Sequence, residues 1–263
     1  MSLPHRYERA EDRETAAWLA ATFAYGSARQ IIPAVERALA PLGPEPFVAV
    51  ARYDGERLWP GFYYRFHKEG HLMAWVAVLK KLRQRHGSLE AVFAPDGPGD
   101  RLIERSLNGA ASRIQAVVDD LSVAPELRRG LRFLVNSPES GSACKRLLMF
   151  LRWMVRRDAV DLGLWSVLKP ADLVIPLDTH VARLAYYLRL RSSPESRAPH
   201  WKMALEVTDG LRQVDASDPV RFDFALSRLG ILSLCVQRYE RSICESCDLK
   251  PACRHSKNRS AGC

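Results

Sequence analysis

The sequence contains no apolar run that reaches the roughly 20 residues a membrane-spanning helix needs. Residues 1–12 are polar and carry charges of both signs, so they lack the apolar centre of a secretory signal. The chain has no long lysine- or arginine-rich tail, no internal repeat and no convincing strand-like alternation of apolar and polar residues. We therefore expect a cytoplasmic protein with no membrane partner.

Cysteine is scarce through most of the chain. Only Cys144 precedes the last 29 residues, which hold the other five of the six cysteines. In a cytoplasmic protein, clustered cysteines bind metal more often than they form disulfides. Cys144 lies near a predicted helix start and is expected to be a small buried residue. Cys263, the last residue, is expected to be an exposed thiol.

The composition is that of an ordinary globular protein with a strong basic excess. The chain has 263 residues, of which 47% are hydrophobic and 26% charged, enough for one large domain or two that share a core. The formal net charge is +9 and the pI about 9.4. Such an excess favours a polyanionic partner, nucleic acid first and an anionic membrane second, although a basic surface can also serve solubility alone.

Apolar residues recur at three- and four-residue steps through most of the chain, which predicts eight to ten helices and an all-α fold. Residues 53–66, rich in aromatic and turn residues, are predicted to form a packed loop with at most short structure, and residues 161–173 a short helix and a loop. The longer predicted helices cover two segments within 12–42, divided at Gly26, and then 72–85, 101–121, 125–135, 143–157, 179–190, 201–213 and 219–234.

Four cysteines lie within 19 residues near the end of the chain. Gaps of eight, two and five residues separate Cys235, Cys244, Cys247 and Cys253. Four thiolates in one loop suit a [4Fe–4S] cluster. The alternative is a structural zinc ion, which usually takes two C-x₂-C pairs, whereas this loop has one.

Two segments resemble the endonuclease III (helix-hairpin-helix) superfamily of DNA base-excision enzymes. The first is DPVRFDFALSRLGILSLC, residues 218–235, a predicted helix that leads directly into the cysteine loop. The family's first cysteine gap is slightly shorter than the gap here, and the later two gaps match. The second is VIPLDTHVARLAYYLR, residues 174–189, in which Asp178 occupies the position of the family's catalytic aspartate. From the residues alone, Asp178 is equally well placed as a helix N-cap.

The resemblance implies a DNA glycosylase, in which a carboxylate stabilises positive charge on the sugar or deprotonates a nucleophile. It also implies a structural cluster whose loop presents basic side chains to DNA phosphates. Lys250 and Arg254 are the main candidates for these contacts, with His255 and Arg238 beside them.

The family places a helix-hairpin-helix upstream of this aspartate, and residues 138–145 correspond to its hairpin. Gly141 matches the first hairpin glycine, whereas Ala143 replaces the second. Lys145 matches the lysine that acts as nucleophile in bifunctional members with AP-lyase activity; the alternative is a surface lysine that contacts phosphate. Lys145 and Asp178 are 33 residues apart, an interval longer than usual, and residues 157–173 have the character of an insertion. The further expected DNA contacts are Ser142, Arg146 and Arg183.

Nearly the whole chain also resembles a bacterial branch known mainly as a domain of unknown function. The resemblance is carried by DRETAAWLAATFAYG, GSACKRLLMFLRWMVRRD and DPVRFDFALSRLGI. This resemblance implies the same fold but identifies no substrate. In this superfamily an aromatic wedge fills the place of an extruded base, and Phe23 and Tyr25 correspond to it. Trp153 and Trp165 are candidates to line the base pocket, and core packing is the alternative for all four rings.

Together these features predict a monomeric, two-lobed all-α glycosylase that acts on damaged or abasic double-stranded DNA in the nucleoid. Residues 22–135 would form a helical barrel lobe. Residues 1–21 and 136–263 would form the other lobe, with the hairpin at about 128–157 and the cluster loop at 235–253. One alternative is a helix-hairpin-helix protein that binds nucleic acid without cleaving it. Another is a redox-sensing iron–sulfur protein.

Overall fold

The computed structural model describes residues 2–97, 99–192, 198–236 and 238–256; Cys263 lies outside these ranges. The described part contains twelve α-helices and one two-stranded sheet, which confirms the all-α prediction. None of its helices is long and apolar enough to cross a membrane. The chain divides into two compact units, residues 1–140 with 149–169, and residues 141–148 with 170–263.

Seven helices and both strands lie in the first unit. The helices are α1 (Ala10–Thr22), α2 (Ala28–Leu39), α3 (Pro46–Arg52), α4 (Glu69–His86), α5 (Leu89–Val92), α6 (Leu102–Asp119) and α7 (Pro125–Phe133), and the strands are β1 (Tyr63–Tyr64) and β2 (His67–Lys68). α4 packs against α3, α5, α6 and α7 and so forms the centre of this unit.

Aromatic rings fill the core of the first unit. Trp18 and Trp75 stack with ring centroids 5.3 Å apart, and Phe93 and Phe150 meet Trp18 edge-on. The indole N–H of Trp75 donates to Oγ1 of Thr22 at 2.8 Å, so this buried polar group is satisfied. Offset and edge-on ring pairs stabilise a core beyond the area they bury.

The packed loop with at most short structure, predicted over residues 53–66, ends in a short antiparallel hairpin. Tyr63 pairs with Lys68 and Tyr64 with His67, and the hairpin turns at Arg65, whose φ is 56°. A two-residue hairpin turn requires positive φ, which non-glycine residues adopt rarely. No glycine or asparagine marks this turn in the sequence, so the hairpin gave no recognisable signal.

Residues 161–173, predicted as a short helix and a loop, form no α-helix; they consist of a loop and the three-residue 3-10 helix Pro170–Asp172. Upstream of it, the carboxylate of Asp158 accepts the backbone N–H groups of Val160 and Asp161 at 2.7 and 2.8 Å. Asp161 in turn is buried against the guanidinium groups of Arg152 and Arg156. Side-chain bonds to the backbone compete with helix formation, and here they hold an irregular loop.

The second unit holds α9 (Thr179–Tyr187), α10 (Trp201–Arg212), α11 (Asp223–Ile231) and α12 (Arg241–Cys244). α9 packs against both α10 and α11. The boundary between the units falls within α8 (Lys145–Val155). The compact units group residues 1–21 with the middle of the chain, whereas the resemblance assigns these residues to the other lobe; the lobe assignment stays a prediction.

Candidate functional site

Asp178 caps the N-terminus of α9. Residues 174–177 precede it and are buried, and the backbone N–H of Ile175 donates to Oγ1 of Thr208 at 3.1 Å. Oδ1 of Asp178 accepts the N–H groups of His180 and Val181 at 3.0 and 2.9 Å. These bonds satisfy two of the unpaired amides at the helix start, so the expected N-cap role is confirmed.

The second carboxylate oxygen of Asp178 contacts Lys145. Nζ of Lys145 donates to Oδ2 at 3.1 Å, although the two residues are 33 positions apart. Both side chains are partly exposed, at 37% for Lys145 and 25% for Asp178. The fold of the second unit thus brings together the two residues that the resemblance identifies as catalytic.

The turn that precedes Lys145 is held by hydrogen bonds within the second unit. Gly141 has φ 75°, and a Cβ at this position would meet nothing within 4 Å, so glycine serves the backbone conformation here rather than close packing. Its carbonyl accepts the N–H of Trp201 at 3.1 Å, and Ser142 pairs with His200 in an isolated antiparallel bridge. Oγ of Ser142 also accepts the N–H of Cys144 at 3.2 Å.

Cys144 closes this turn with φ 49° and is buried. Desolvation raises the pKa of its thiol to about 12. The thiol donates to the carbonyl of Ser142 at 3.3 Å. The expectation of a small buried residue is confirmed, and a thiol with this pKa is a poor nucleophile and metal ligand at neutral pH.

The other basic residues expected at DNA occupy different environments. Arg183 is exposed and Arg146 is half-buried. Lys250 forms an ion pair with Glu245 at 2.6 Å. Arg254 donates to the carbonyls of Tyr186 and Arg191 at 2.7 and 3.1 Å, and its guanidinium lies 4.4 Å from the Tyr186 ring centre. Arg254 thereby ties the cysteine segment to the end of α9.

Cys235, Cys244, Cys247 and Cys253 all line one cavity in the second unit. The rest of the lining is mainly apolar and includes Leu184, Tyr187, Leu229, Leu234, Ile243 and Leu249. In the described residues, no group of three or more histidine, cysteine, aspartate or glutamate side chains already stands at metal-binding geometry. The donor set and its apolar surroundings nevertheless fit a soft metal centre, because thiolates prefer iron–sulfur clusters or zinc.

Hydrogen bonds hold the backbone around these cysteines in tight turns. The N–H of Cys247 donates to the carbonyl of Cys244 at 3.4 Å, and the N–H of Cys253 to the carbonyl of Lys250 at 3.1 Å. The N–H of Glu240 points to Sγ of Cys244 at 3.4 Å. N–H···S bonds of this kind stabilise ligand thiolates and tune the potential of clusters.

His255 lines the same cavity, although from the sequence it is expected at DNA phosphate. Its ring stacks on Tyr187 with centroids 4.7 Å apart. Among the described residues, its Nε2 atom is buried without a hydrogen-bond partner. In the sequence, a lone histidine two residues after a cysteine does not indicate a place in this cavity. That place depends on the contact with Tyr187 of α9.

Three of the four aromatic candidates for a wedge or base pocket lie in the core of the first unit. Phe23, Trp153 and Trp165 are buried, and the indole N–H of Trp165 donates to Glu14 at 2.7 Å. Tyr25 is half-buried beside Phe66 and Phe133, two exposed rings that no sequence motif marks.

A family model described as "Protein of unknown function (DUF2400)" matches residues 1–232. This range includes Lys145 and Asp178 and ends just before Cys235. No curated protein and no solved structure matches the chain.

Proposed function

Because the chain belongs to the DUF2400 family, whose description assigns no activity, we propose a function from the site itself: DNA base-excision repair by a glycosylase with AP-lyase activity. The observation that carries the proposal is the 3.1 Å contact between Nζ of Lys145 and Oδ2 of Asp178. A nucleophile within hydrogen-bond reach of a base is the arrangement that covalent catalysis requires. The proposed substrate is damaged or abasic double-stranded DNA.

Asp178 would act as the general base for Lys145. Its Oδ1 is held by two backbone N–H groups, so Oδ2 is presented to Nζ in a fixed orientation. Oδ2 takes a proton from the ammonium group, and the neutral amine then forms a bond to C1′ of the sugar. The glycosidic C–N bond breaks, and the base leaves with its electron pair and takes up the proton that Asp178 holds. Oδ2 then accepts a second proton from the nitrogen and passes it to the ring oxygen as the C1′–O4′ bond breaks, which leaves a protonated Schiff base.

The four cysteines of the apolar cavity would hold a [4Fe–4S] cluster, with zinc as the alternative metal. When bound, the cluster would contribute structure to the segment rather than chemistry to the reaction. Lys250 and Arg254, with Gly141, Ser142, Arg146 and Arg183 near the hairpin, would contact DNA phosphates in a two-lobed helix-hairpin-helix glycosylase fold. The net charge of +9 favours such contacts.

Borohydride trapping on abasic and lesion-containing duplexes tests this proposal. Borohydride reduces a Schiff base to a stable amine, so the wild-type protein is expected to form a covalent adduct that Lys145→Ala abolishes. Asp178→Asn is expected to reduce adduct formation by at least about 100-fold, the usual scale for losing a general base. Lys202→Ala, at an exposed lysine of the same unit, should trap like the wild type.

A non-catalytic nucleic-acid-binding protein is the second candidate. The observation that favours it is the connection between α7 and α8: it spans residues 134–144 and has Ala143 at the position of the second hairpin glycine. A binder would hold the duplexes at low salt, give no adduct and release no base, and the Asp178→Asn variant would behave like the wild type. That combination of results would replace the first proposal with the second.

A further inference from the structure

The first unit contains an open recess with aromatic walls, which we call the aromatic recess. It is defined by Phe66, Lys68, His71, Arg129, Gly130 and Phe133. Phe66 follows Arg65 at the hairpin turn, and Phe133 is the last residue of α7. None of these residues is part of the Lys145–Asp178 site, which lies in the second unit.

Two phenylalanine rings face solvent in this recess. Phe66 is 47% exposed and Phe133 is 43% exposed, and their ring centroids lie 4.7 Å apart in an edge-to-face arrangement. Tyr25 supports Phe66 from behind, with centroids 5.6 Å apart. Single exposed apolar side chains need no explanation, but paired rings on the wall of a recess form a surface on which a flat ligand can stack.

Hydrogen bonds hold the polar groups of the recess and the buried His67, whose ring lies 4.6 Å from that of Phe66. Nε2 of His67 contacts the carbonyl of Gly130 at 3.1 Å, and the hydroxyl of Tyr25 bonds Nδ1 of the same histidine. Nδ1 of His71 accepts the backbone N–H of Lys68 at 3.1 Å. Burial and the nearby ammonium of Lys68 lower the pKa of His71, which favours a neutral ring with its proton on Nε2.

Cationic side chains stand at the rim. Lys68 and Arg129 both line the recess, and the guanidinium of Arg65 lies 5.9 Å from the Tyr25 ring centre. The single acid of the lining, Glu126, is 3.6 Å from Arg129, and both side chains are more than two-thirds exposed. Exposed pairs at this separation are weak, so Arg129 can exchange Glu126 for an anionic ligand at little cost.

We propose that the aromatic recess binds an unpaired nucleobase of single-stranded DNA, with the base stacked against Phe66 and Phe133 and the adjoining phosphates on Lys68 and Arg129. Stacking rings beside a positive rim are the combination that single-strand binding uses. The inference rests on the nucleic-acid partner of the proposed function and is independent of its chemistry. An apolar peptide fits the rings but leaves the cationic rim without a role.

The test uses the full-length protein and a single-stranded oligonucleotide with one central 2-aminopurine, whose fluorescence reports stacking. Phe66→Leu and Phe133→Leu retain an apolar side chain and remove the ring, and each is expected to weaken binding about tenfold and to reduce the fluorescence change. Tyr63→Leu is the matched control, because Tyr63 is an exposed ring of the same hairpin outside the recess. Equal behaviour of the Phe variants and the wild type would overturn the proposal, as would an equal loss in Tyr63→Leu.

Gly130→Ala closes the recess without removing a ring. A Cβ at this position would overlap the ring of His71, so that ring must move. Alanine is favoured over glycine in a helix interior by about 1 kcal/mol, and this gain offsets the disturbance of the bond from the Lys68 N–H to the His71 ring. We expect weaker binding of the oligonucleotide in a protein with an unchanged melting temperature; wild-type binding by this variant would contradict the assignment.

Two further variants separate this inference from the proposed function. The double variant Lys68→Ala/Arg129→Ala should bind every sequence more weakly, and the magnitude of the slope of log K against log salt should fall by about one to two. An unchanged slope would contradict the proposed phosphate contacts of these two residues. Asp178→Asn should bind the oligonucleotide like the wild type. If borohydride trapping fails on every duplex while the Phe66 and Phe133 variants still lose binding, the nucleobase site is supported and the proposed glycosylase activity is not.

Discussion

Asp178 uses its two carboxylate oxygens for different contacts: Oδ1 caps α9, and Oδ2 lies 3.1 Å from Nζ of Lys145. The cap holds the carboxylate in one orientation, because rotation would break two backbone hydrogen bonds. A residue of the helix framework is thus also half of the candidate site. The alternatives that the sequence left open for Asp178, cap or catalytic group, are therefore compatible.

The two contacts of Asp178 can be separated by substitution. Asparagine caps helices about as well as aspartate, so Asp178→Asn should change the free energy of unfolding little. Asp178→Ala loses the cap and should lower it by about 0.5–2 kcal/mol. Urea unfolding of both variants measures the difference. Equal losses of stability in the Asn and Ala variants would contradict the capping contribution expected for asparagine. Wild-type stability in Asp178→Asn would assign a trapping defect of that variant to Oδ2.

Metal content should depend on the four cavity cysteines and not on Cys144. We expect Cys244→Ser and Cys247→Ser to lose bound iron and sulfide, because a cluster needs its thiolate ligands. Cys144→Ser is the matched control, since its thiol lies in the turn before α8 and outside the cavity. Elemental analysis of anaerobically purified protein measures iron, sulfide and zinc. Stoichiometric zinc without sulfide would show a zinc site in place of the cluster. A protein that contains neither iron nor zinc would contradict the proposed cofactor.

Cys144 should resist alkylation at neutral pH. With a pKa raised by burial to about 12, about one thiol in ten thousand is ionised at pH 8, and the thiolate is the reactive form. Iodoacetamide labelling of metal-free native protein, followed by peptide mass spectrometry, should modify the cavity cysteines well before Cys144. Rapid labelling of Cys144 at pH 8 would show that it is not buried as described.

The same thiol should make stability depend on pH in the alkaline range. In the unfolded chain the Cys144 thiol ionises near its ordinary value of 9.0, whereas in the folded protein it ionises only near 12. Between these values the unfolded state has released a proton that the folded state retains, so the free energy of unfolding falls as pH rises. Cys144→Ala should show a shallower fall than the wild type in urea unfolding from pH 8.5 to 10. Parallel curves would contradict this contribution.

Asp161 should be among the most sensitive positions for stability. Its side chain is fully buried between the guanidinium groups of Arg152 and Arg156. Asp161→Ala removes the counter-charge that the two buried guanidinium groups share, while Arg156 keeps its pair with Asp158 at 2.9 Å, and should cost up to about 3–5 kcal/mol. Glu36→Ala breaks an exposed pair with Arg6 in the same unit and should cost at most about 1 kcal/mol. Similar losses for the two variants in thermal or urea unfolding would contradict this assignment.

Features with local causes could be predicted from the sequence. The helical periodicity predicted the all-α class. The position of Asp178, just before Thr179 at a predicted helix start, predicted the N-cap of α9. Where an independent interaction competes with local propensity, prediction failed: the carboxylates of Asp158 and Asp161 engage backbone amides and arginines, and no helix forms over residues 161–169.

Residues that only tertiary packing brings together could not be identified from the sequence. Phe66, His71 and Phe133 are brought together by the packing of α4 against α7 and by a hairpin whose turn residue is an arginine. His255 reaches the cysteine cavity only because it stacks on Tyr187 of α9. In each case the residues are distant in sequence, and no short motif records their proximity.

The bonds from Arg254 to the carbonyls of Tyr186 and Arg191 have a thermodynamic consequence. They join the segment that follows the last cavity cysteine to the C-terminal end of α9, whose first turn is capped by Asp178. Order in the cysteine segment and order in this helix are therefore linked equilibria, and linkage is reciprocal: any ligand that stabilises one must be bound more tightly when the other is formed. An Arg254→Ala chain would keep all four cysteines and lose this coupling.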